Sequence, residues 1–351
     1  MRLRVLAVLA TCAVAVPAGL LLAHRLRAAP TVRLPLQHLA QVSLPGTASR
    51  FDYADLDAPG HRLFLAHMAS GELLEVDTRT RQALRVVPDL PSVTGVLVVP
   101  ELHRVFASAA GAGQVVTFDE DTGAVLARTA AGEFPDGLAY VASTGQVWVS
   151  DESGGVETVL DATSGASVGM VRLGGEAGNV RYDPTGDRVL VDVQSRNELL
   201  VIDPHSRTVT ARVRVPGCDH DHGLILDATR AYVACDGNAA LVVLALQNLS
   251  RLATLRVGAD PDVLALDLTR RLLYVAAESG VVTLIDTTAT DRAPGGRVLG
   301  RDRLADNAHV VAVDPTTGIA YFPLRSGLHG HPVLLLTTPQ LGRSPTDRST
   351  P

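Results

Sequence analysis

A short apolar run that ends at a turn recurs at almost constant spacing along this chain, and that recurrence limits the fold more than any other feature. The runs close at Asp77, Asp119, Asp161, Asp203, Ala245 and Asp286, as in Leu73-Leu74-Glu75-Val76-Asp77, so the steps are 42, 42, 42, 42 and 41 residues. A seventh copy, Pro332 to Thr337, follows a longer insert containing Arg292 to Asp306. Inside each unit a short run such as Val180 to Asp183 meets the turn Pro184-Thr185-Gly186 and then a β-branched run, Arg188 to Val193. Two further strands complete the unit. Four strands in about 42 residues match one propeller blade, whereas helical repeats of that length need long helix-periodic segments that this chain lacks. A solenoid of strands is the structural alternative.

The seventh copy runs out after three strands, near Thr338, while Leu36 to Leu44 precedes the first unit and aligns with its outer strand, Ala83 to Leu90. The N-terminal segment is therefore expected to supply the fourth strand of the last blade and so hide two sheet edges. The sequence thus reads as an all-β, seven-bladed β-propeller over residues 31–338, followed by an unstructured tail, 339–351.

Residues 1–30 read as a targeting element outside the fold: Arg2 and Arg4 precede the uncharged stretch Val5 to Ala23, and Arg25 and Arg27 follow it. The stretch is close to the length of a membrane span, and Pro17 with Ala18 also suits cleavage, so a signal peptide and a membrane anchor both remain open. Either implies export, to a periplasmic, extracellular or membrane-anchored location. These 30 residues hold four arginines and no acid, which leaves 27 basic against 37 acidic residues and a net charge of −10 on the rest. A nucleic-acid partner is not expected of so acidic a surface. The partner is an unidentified small molecule or protein, the N-terminal segment is the one route to a membrane, and a monomer is expected.

Propellers bind where the loop entering each innermost strand meets the loop leaving the second strand. Registering the repeats places Asp52, Thr94, Asp136, Gly178, His222, Asp262 and His309 at the first of these positions. Five of the seven are Asp or His, although these acids and histidines make up only 48 of 351 residues with Glu included, so chance predicts about one. The second position holds Met68, Ala110, Glu152, Gln194, Asp236, Glu278 and Arg325, with His67, Asp151 and Cys235 one residue earlier. Tyr53 and Asn179 each follow a first-position residue. Loop ends are often polar simply because they are solvated, and it is the concentration of acids and histidines that points to a pocket.

Cys218 and Cys235 are the two cysteines beyond the targeting segment. Export allows them to pair; with Asp219, His220, Asp221 and His222 nearby they can instead form a zinc or copper site, or remain free thiols. A metal site built from His67, His222 and His309 is a separate option. Trp148, in the apolar Gln146-Val147-Trp148-Val149-Ser150, reads as core.

The chain resembles the bacterial extracytoplasmic YncE-like (YVTN) propellers over about residues 36–338. Arg50-Phe51-Asp52-Tyr53, Phe64-Leu65-Ala66-His67, Pro135 to Tyr140, Gly178-Asn179, His222-Gly223-Leu224, Ala234 to Asn238 and Ala308 to Pro315 carry the likeness. It implies a seven-bladed fold and export. The Tyr-Val-Thr-Asn signature itself is replaced by Tyr274-Val275-Ala276-Ala277. Lactonase-type propellers of the wider group hold a divalent metal with acids and asparagine, which Asp52, Asp136, Asn179 and Asp262 imitate without matching residue by residue.

Two classes of function fit. The first is a binding or scaffold propeller that takes a small ligand or a partner protein at its axial funnel. The second is a metal-assisted hydrolase, lactonase or lyase, in which a cation held by the acids polarises a carbonyl and His222 or His309 transfers a proton. A redox role with a quinone or copper partner is a third, without any cofactor-attachment motif behind it.

Overall fold

The computed structural model describes residues 33–327 and 330–341. The targeting segment and residues 342–351 of the tail lie outside the described residues. Within them, 28 strands form seven separate four-stranded antiparallel sheets, the blades of a seven-bladed β-propeller.

Blade 1 shows the local logic. Ala54–Asp57, Arg62–His67, Glu72–Asp77 and Gln82–Val87 follow one another as a meander from the axis outward. The two middle strands are covered on both faces by neighbouring blades, so they read as nearly continuous apolar runs; the outer strand is solvated and mixed in character. The recurring aspartates close the turns. Asp77 accepts from the amides of Arg79 and Thr80 at 2.8 Å, and Asp183 accepts from Thr185 and Gly186 at 3.1 Å. Beyond the second strands of blades 1 to 6 one residue adopts the left-handed conformation, at Gly71, Gly113, Gly155, Asn197, Ala239 and Gly280. Tight reversals at this repeated spacing explain why the period barely drifts.

The core lies between blades. Phe64, Phe106, Trp148, Leu190, Tyr232, Tyr274 and Tyr321 occupy one position of the second strand in successive blades, and all are buried. Trp148 is therefore a core member of that ring. Six separate apolar clusters, each spanning adjacent blades, surround the axis.

Leu36–Ser43 closes the ring by pairing with Val333–Pro339, from Leu36 opposite Pro339 to Ser43 opposite Val333. Two boundaries differ from the sequence reading. The segment taken as an insert contains Arg297–Arg303, the regular outer strand of blade 6. Its Gly300 has no side chain because the backbone of Arg33 and Leu34 approaches there, and the missing side chain weakens the strand pattern. The last strand also continues one residue past Thr338, with the Gln340 amide bonded to the Pro35 carbonyl at 2.7 Å.

Cys218 and Cys235 form a disulfide with Cα atoms 5.3 Å apart. The metal and free-thiol readings of these cysteines fall with it. A disulfide points to an oxidising compartment. No helix among the described residues is long and apolar enough to cross a membrane.

Candidate functional site

The first register position is set by a repeated irregularity of the backbone. In blades 2 to 6 the ladder between the first two strands slips between Val93 and Val96, Pro135 and Leu138, Ala177 and Val180, Asp221 and Gly223, and Pro261 and Leu264. Thr94, Asp136, Gly178, His222 and Asp262 sit inside these bulges, which re-aim a side chain that regular pairing would send into a blade face. Asp52 and His309 lie just ahead of the innermost strands of blades 1 and 7.

Of these, Asp52, Thr94, Asp136, His222 and Asp262 line a funnel of about 250 Å³ with Tyr53, Glu152, Gln194, Asp236 and Glu278; Gly178 and His309 are not in its lining, and His309 is buried against Asp52 and Asp262. A chain of polar contacts runs around it. Gln194 Nε2 donates to Glu152 Oε1 at 2.7 Å, and Gln194 Oε1 accepts from His222 Nδ1 at 2.8 Å. His222 Nε2 faces Asp262 Oδ1 at 3.5 Å, and His309 Nε2 lies 3.9 Å from Asp262 Oδ2 and 3.5 Å from Asp52 Oδ1. Arg50 then bridges Asp52 at 2.7 Å and Glu278 at 2.5 Å. The girdle therefore joins blades 3, 4, 5, 6, 7 and 1, while Thr94 and Ala110 leave blade 2 uncharged.

Burial and charge push the ionisations apart. Burial, reinforced by Asp52, Glu152 and Asp262, raises the Asp136 carboxyl to about 8. Burial opposes the His222 imidazolium, but Asp262, Asp136 and Glu152 outweigh it and lift that group to about 10. Burial likewise opposes charge on Asp262, yet His222, His309 and Arg50 hold it below the usual carboxylate range. His309 is raised against burial by Asp52 and Asp262. Of the buried side-chain atoms without a hydrogen-bond partner among the described residues, three belong to this site: Asp136 Oδ1, Asp262 Oδ1 and His309 Nε2. The two aspartates border a cavity, where a bound ligand or ordered water would complete their bonding.

Most of the remaining sequence-derived candidates stand elsewhere, and Asp236 lies at the rim. His67 does not line the funnel; its ring stacks on Phe51 with centroids 4.1 Å apart, and its Nε2 meets Ser49 Oγ at 2.9 Å. The three-histidine cluster is thus not assembled. Asp151 is a structural cap, accepting from the amides of Glu133, Phe134 and Gly154. Asn179 lies deeper, donating to the Tyr53 hydroxyl at 2.7 Å and to the His222 carbonyl at 3.1 Å. Arg325 is half exposed beside Asp306 and is not part of the lining. Asp236 holds a rim position through His220 Nδ1 at 2.8 Å.

Sequence reasoning passed over Arg50, Phe134, His220 and Asp260, which also line the funnel. The signal was present. Each lies two residues before a first-position residue, and extended chain returns a side chain to the same side every second residue. Asn307 occupies the same register before His309, and its carbonyl accepts from His309 Nδ1 at 3.0 Å.

Beneath the funnel a second cavity of about 610 Å³ runs along the axis, walled by inner-strand residues including Val96, Leu138, Leu264 and Val313, with Asp55 and Arg181 among them. Tyr53 borders both spaces.

No family model matches the sequence, and no curated protein matches it. Solved structures do. A chain of the hydrazine synthase of Kuenenia stuttgartiensis superposes with a TM-score of 0.67 at 15% identity, covering 80% of this chain and 94% of that one. U3-55K gives 0.71 at 10% identity, with coverage of 85% and 98%. The WD40 repeats of RRP9 give 0.72 at 10% identity, with coverage of 86% and 99%. At such low identity these likenesses establish the seven-bladed propeller fold of this chain and nothing about its chemistry.

Proposed function

We propose that this chain is an exported binding propeller that takes a small cationic ligand, or a cationic group of a partner protein, into its acidic funnel. A propeller fold supports a binding or scaffold role, and one observation carries the finer reading. Asp52, Asp136, Glu152, Asp236, Asp260, Asp262 and Glu278 all border one small cavity against Arg50, His220 and His222. Two of those carboxylates present buried oxygens without partners. A positive charge placed there gains from focused fields at low dielectric. Export and a YncE-like identity belong to the same proposal, supported by the targeting segment, the quoted motifs and the disulfide.

The test is binding of alkylamines and guanidinium compounds to purified protein, read by calorimetry at two ionic strengths. Binding that weakens with salt and is lost in Asp136→Asn/Glu152→Gln supports the reading. Equal binding by that variant, or preference for anions, overturns it.

The unpartnered Asp136 oxygen also favours a second reading, metal-assisted hydrolysis, in which a neutral Asp136 or a charged His222 delivers a proton. Joint replacement of His222 and His309 by alanine separates the two. An enzyme loses turnover with its fold intact, whereas a binder that grips amines through its carboxylates keeps most of its affinity for them.

A further inference from the structure

We infer that Asp52, Asp262 and His309, contributed by blades 1, 6 and 7, form a site for a divalent first-row transition metal in the wall of the funnel. The inference rests on the reading of the funnel as a cation site and names the cation. One potential ligand atom from each residue lies within 4.8 Å of the other two, and all three residues are buried.

The geometry around His309 separates a metal site from an ordinary buried ion pair. Its Nδ1 donates to the Asn307 carbonyl at 3.0 Å, which fixes the ring and turns Nε2 inward. A backbone carbonyl on the far nitrogen is the usual orienting partner of a metal-bound histidine. Nε2 then faces Asp52 Oδ1 at 3.5 Å and Asp262 Oδ2 at 3.9 Å, and it has no hydrogen-bond partner although His309 is only 1% exposed. Those separations are too long for charge-assisted hydrogen bonds, which close to about 2.7–2.9 Å. They approach the edge of a coordination tetrahedron: bonds of about 2.1 Å to nitrogen and oxygen put neighbouring ligand atoms roughly 3.4 Å apart.

The donor set narrows the ion. One imidazole with two carboxylates suits zinc, manganese, iron or cobalt, whereas calcium requires more oxygens and a looser cage. Asp262 Oδ1 is a further buried oxygen without a hydrogen-bond partner, 3.5 Å from His222 Nε2. Arg50 grips Asp52 Oδ1 through Nε at 3.2 Å and Nη2 at 2.7 Å and so positions that carboxylate. Glu278 Oε1 stands 3.7 Å from His309 Nε2, and three protein ligands leave room for a further ligand, the pattern of sites whose metal meets a ligand or substrate.

The experiment titrates zinc into tag-free, chelator-treated protein at pH 7.5 by calorimetry, with the ring signals of His309 followed by NMR. One strong site is expected, with the His309 signals moving at stoichiometric zinc. Separate His309→Gln and Asp52→Asn variants, each checked for native circular dichroism, are expected to weaken zinc by about 100-fold or more, beyond what loss of an orienting partner costs. Arg50→Gln is expected to weaken it by about 10-fold, as such a partner does. Wild-type protein without a strong zinc site overturns the inference, as do variants that bind zinc unchanged. Amine binding without zinc binding leaves the funnel reading standing and removes only the metal; loss of both in folded protein removes both.

Discussion

Asn179 Nδ2 donates to the Tyr53 hydroxyl at 2.7 Å, a bond between the inner ends of blades 1 and 4. In a ring of seven, these blades stand nearly opposite, so the bond crosses the axis and forms a bar between the funnel and the cavity below. Burial, with Asp136 and Asp262 nearby, holds the Tyr53 phenol well above its ordinary value, so it stays protonated. The neutral hydroxyl accepts from Asn179 and keeps its own proton to donate.

Removing the bar is expected to act locally. Tyr53→Phe leaves a buried amide proton without its acceptor, and such a loss costs about 1–3 kcal/mol. Urea unfolding is expected to show a lower midpoint with an unchanged slope. A midpoint within error of wild type contradicts the bar as a stabilising element.

Ring closure gives a larger effect. Deleting residues 36–43 exposes the whole edge of Val333–Pro339 and removes Ala40 and Val42 from the apolar cluster between blades 7 and 1. An open edge of that length invites association. The truncated protein is expected to melt at least about 10 °C lower, several kcal/mol at this chain size, and to aggregate in light scattering. An unchanged melting temperature excludes this role for the strand.

The disulfide joins the two ends of the inner hairpin of blade 5, 17 residues apart in sequence. A loop of that size stabilises by about 3 kcal/mol when closed. Cys218→Ser/Cys235→Ser is expected to lose about that amount, and mass spectrometry of non-reduced protein is expected to recover the two cysteines in one linked peptide. Alkylation of both thiols without reductant overturns the pairing.

Stability is expected to fall as pH rises from weakly acid to weakly alkaline. Burial lifts Glu157 from 4.5 to about 8, and Glu120, buried beside Asp57, moves to about 7. Each is a carboxyl that the folded protein keeps protonated while the unfolded chain releases its proton. The stability from these protons is complete below the unfolded values, near 4.5, and is lost as pH rises through about 7 and then about 8. Glu157→Gln retains the shape and can still accept from Ser150 Oγ, which donates to Glu157 Oε1 at 2.8 Å. This variant is expected to flatten the profile and to melt higher than wild type at pH 8. Parallel pH profiles for the two proteins contradict the assignment.

What the sequence determined by itself is the repeat, and through it the fold. A 42-residue period of apolar strands, with aspartates closing the turns, admits few structures, because each strand's apolar pattern and each turn's hydrogen bonds are local and repeat in register. Even the closing strand was legible, since Leu36 to Leu44 had no unit of its own. The outer strand at Arg297–Arg303 was not, because Gly300 answers to backbone packed against it from Arg33 and Leu34, far away in sequence. The candidate site was half legible. Registration assigned Asp52, Asp136, His222, Asp262 and His309 to one face of the ring, but side-chain direction there depends on bulges that shift pairing by a residue. His67 and Asp151, one residue ahead of the lining residues Met68 and Glu152, instead stack on Phe51 and cap a loop. Which atoms meet, Asn179 with Tyr53 across the axis or His309 with Asp52 at the seam of blades 7 and 1, is decided only when seven blades close, since only closure brings residues more than 100 positions apart together.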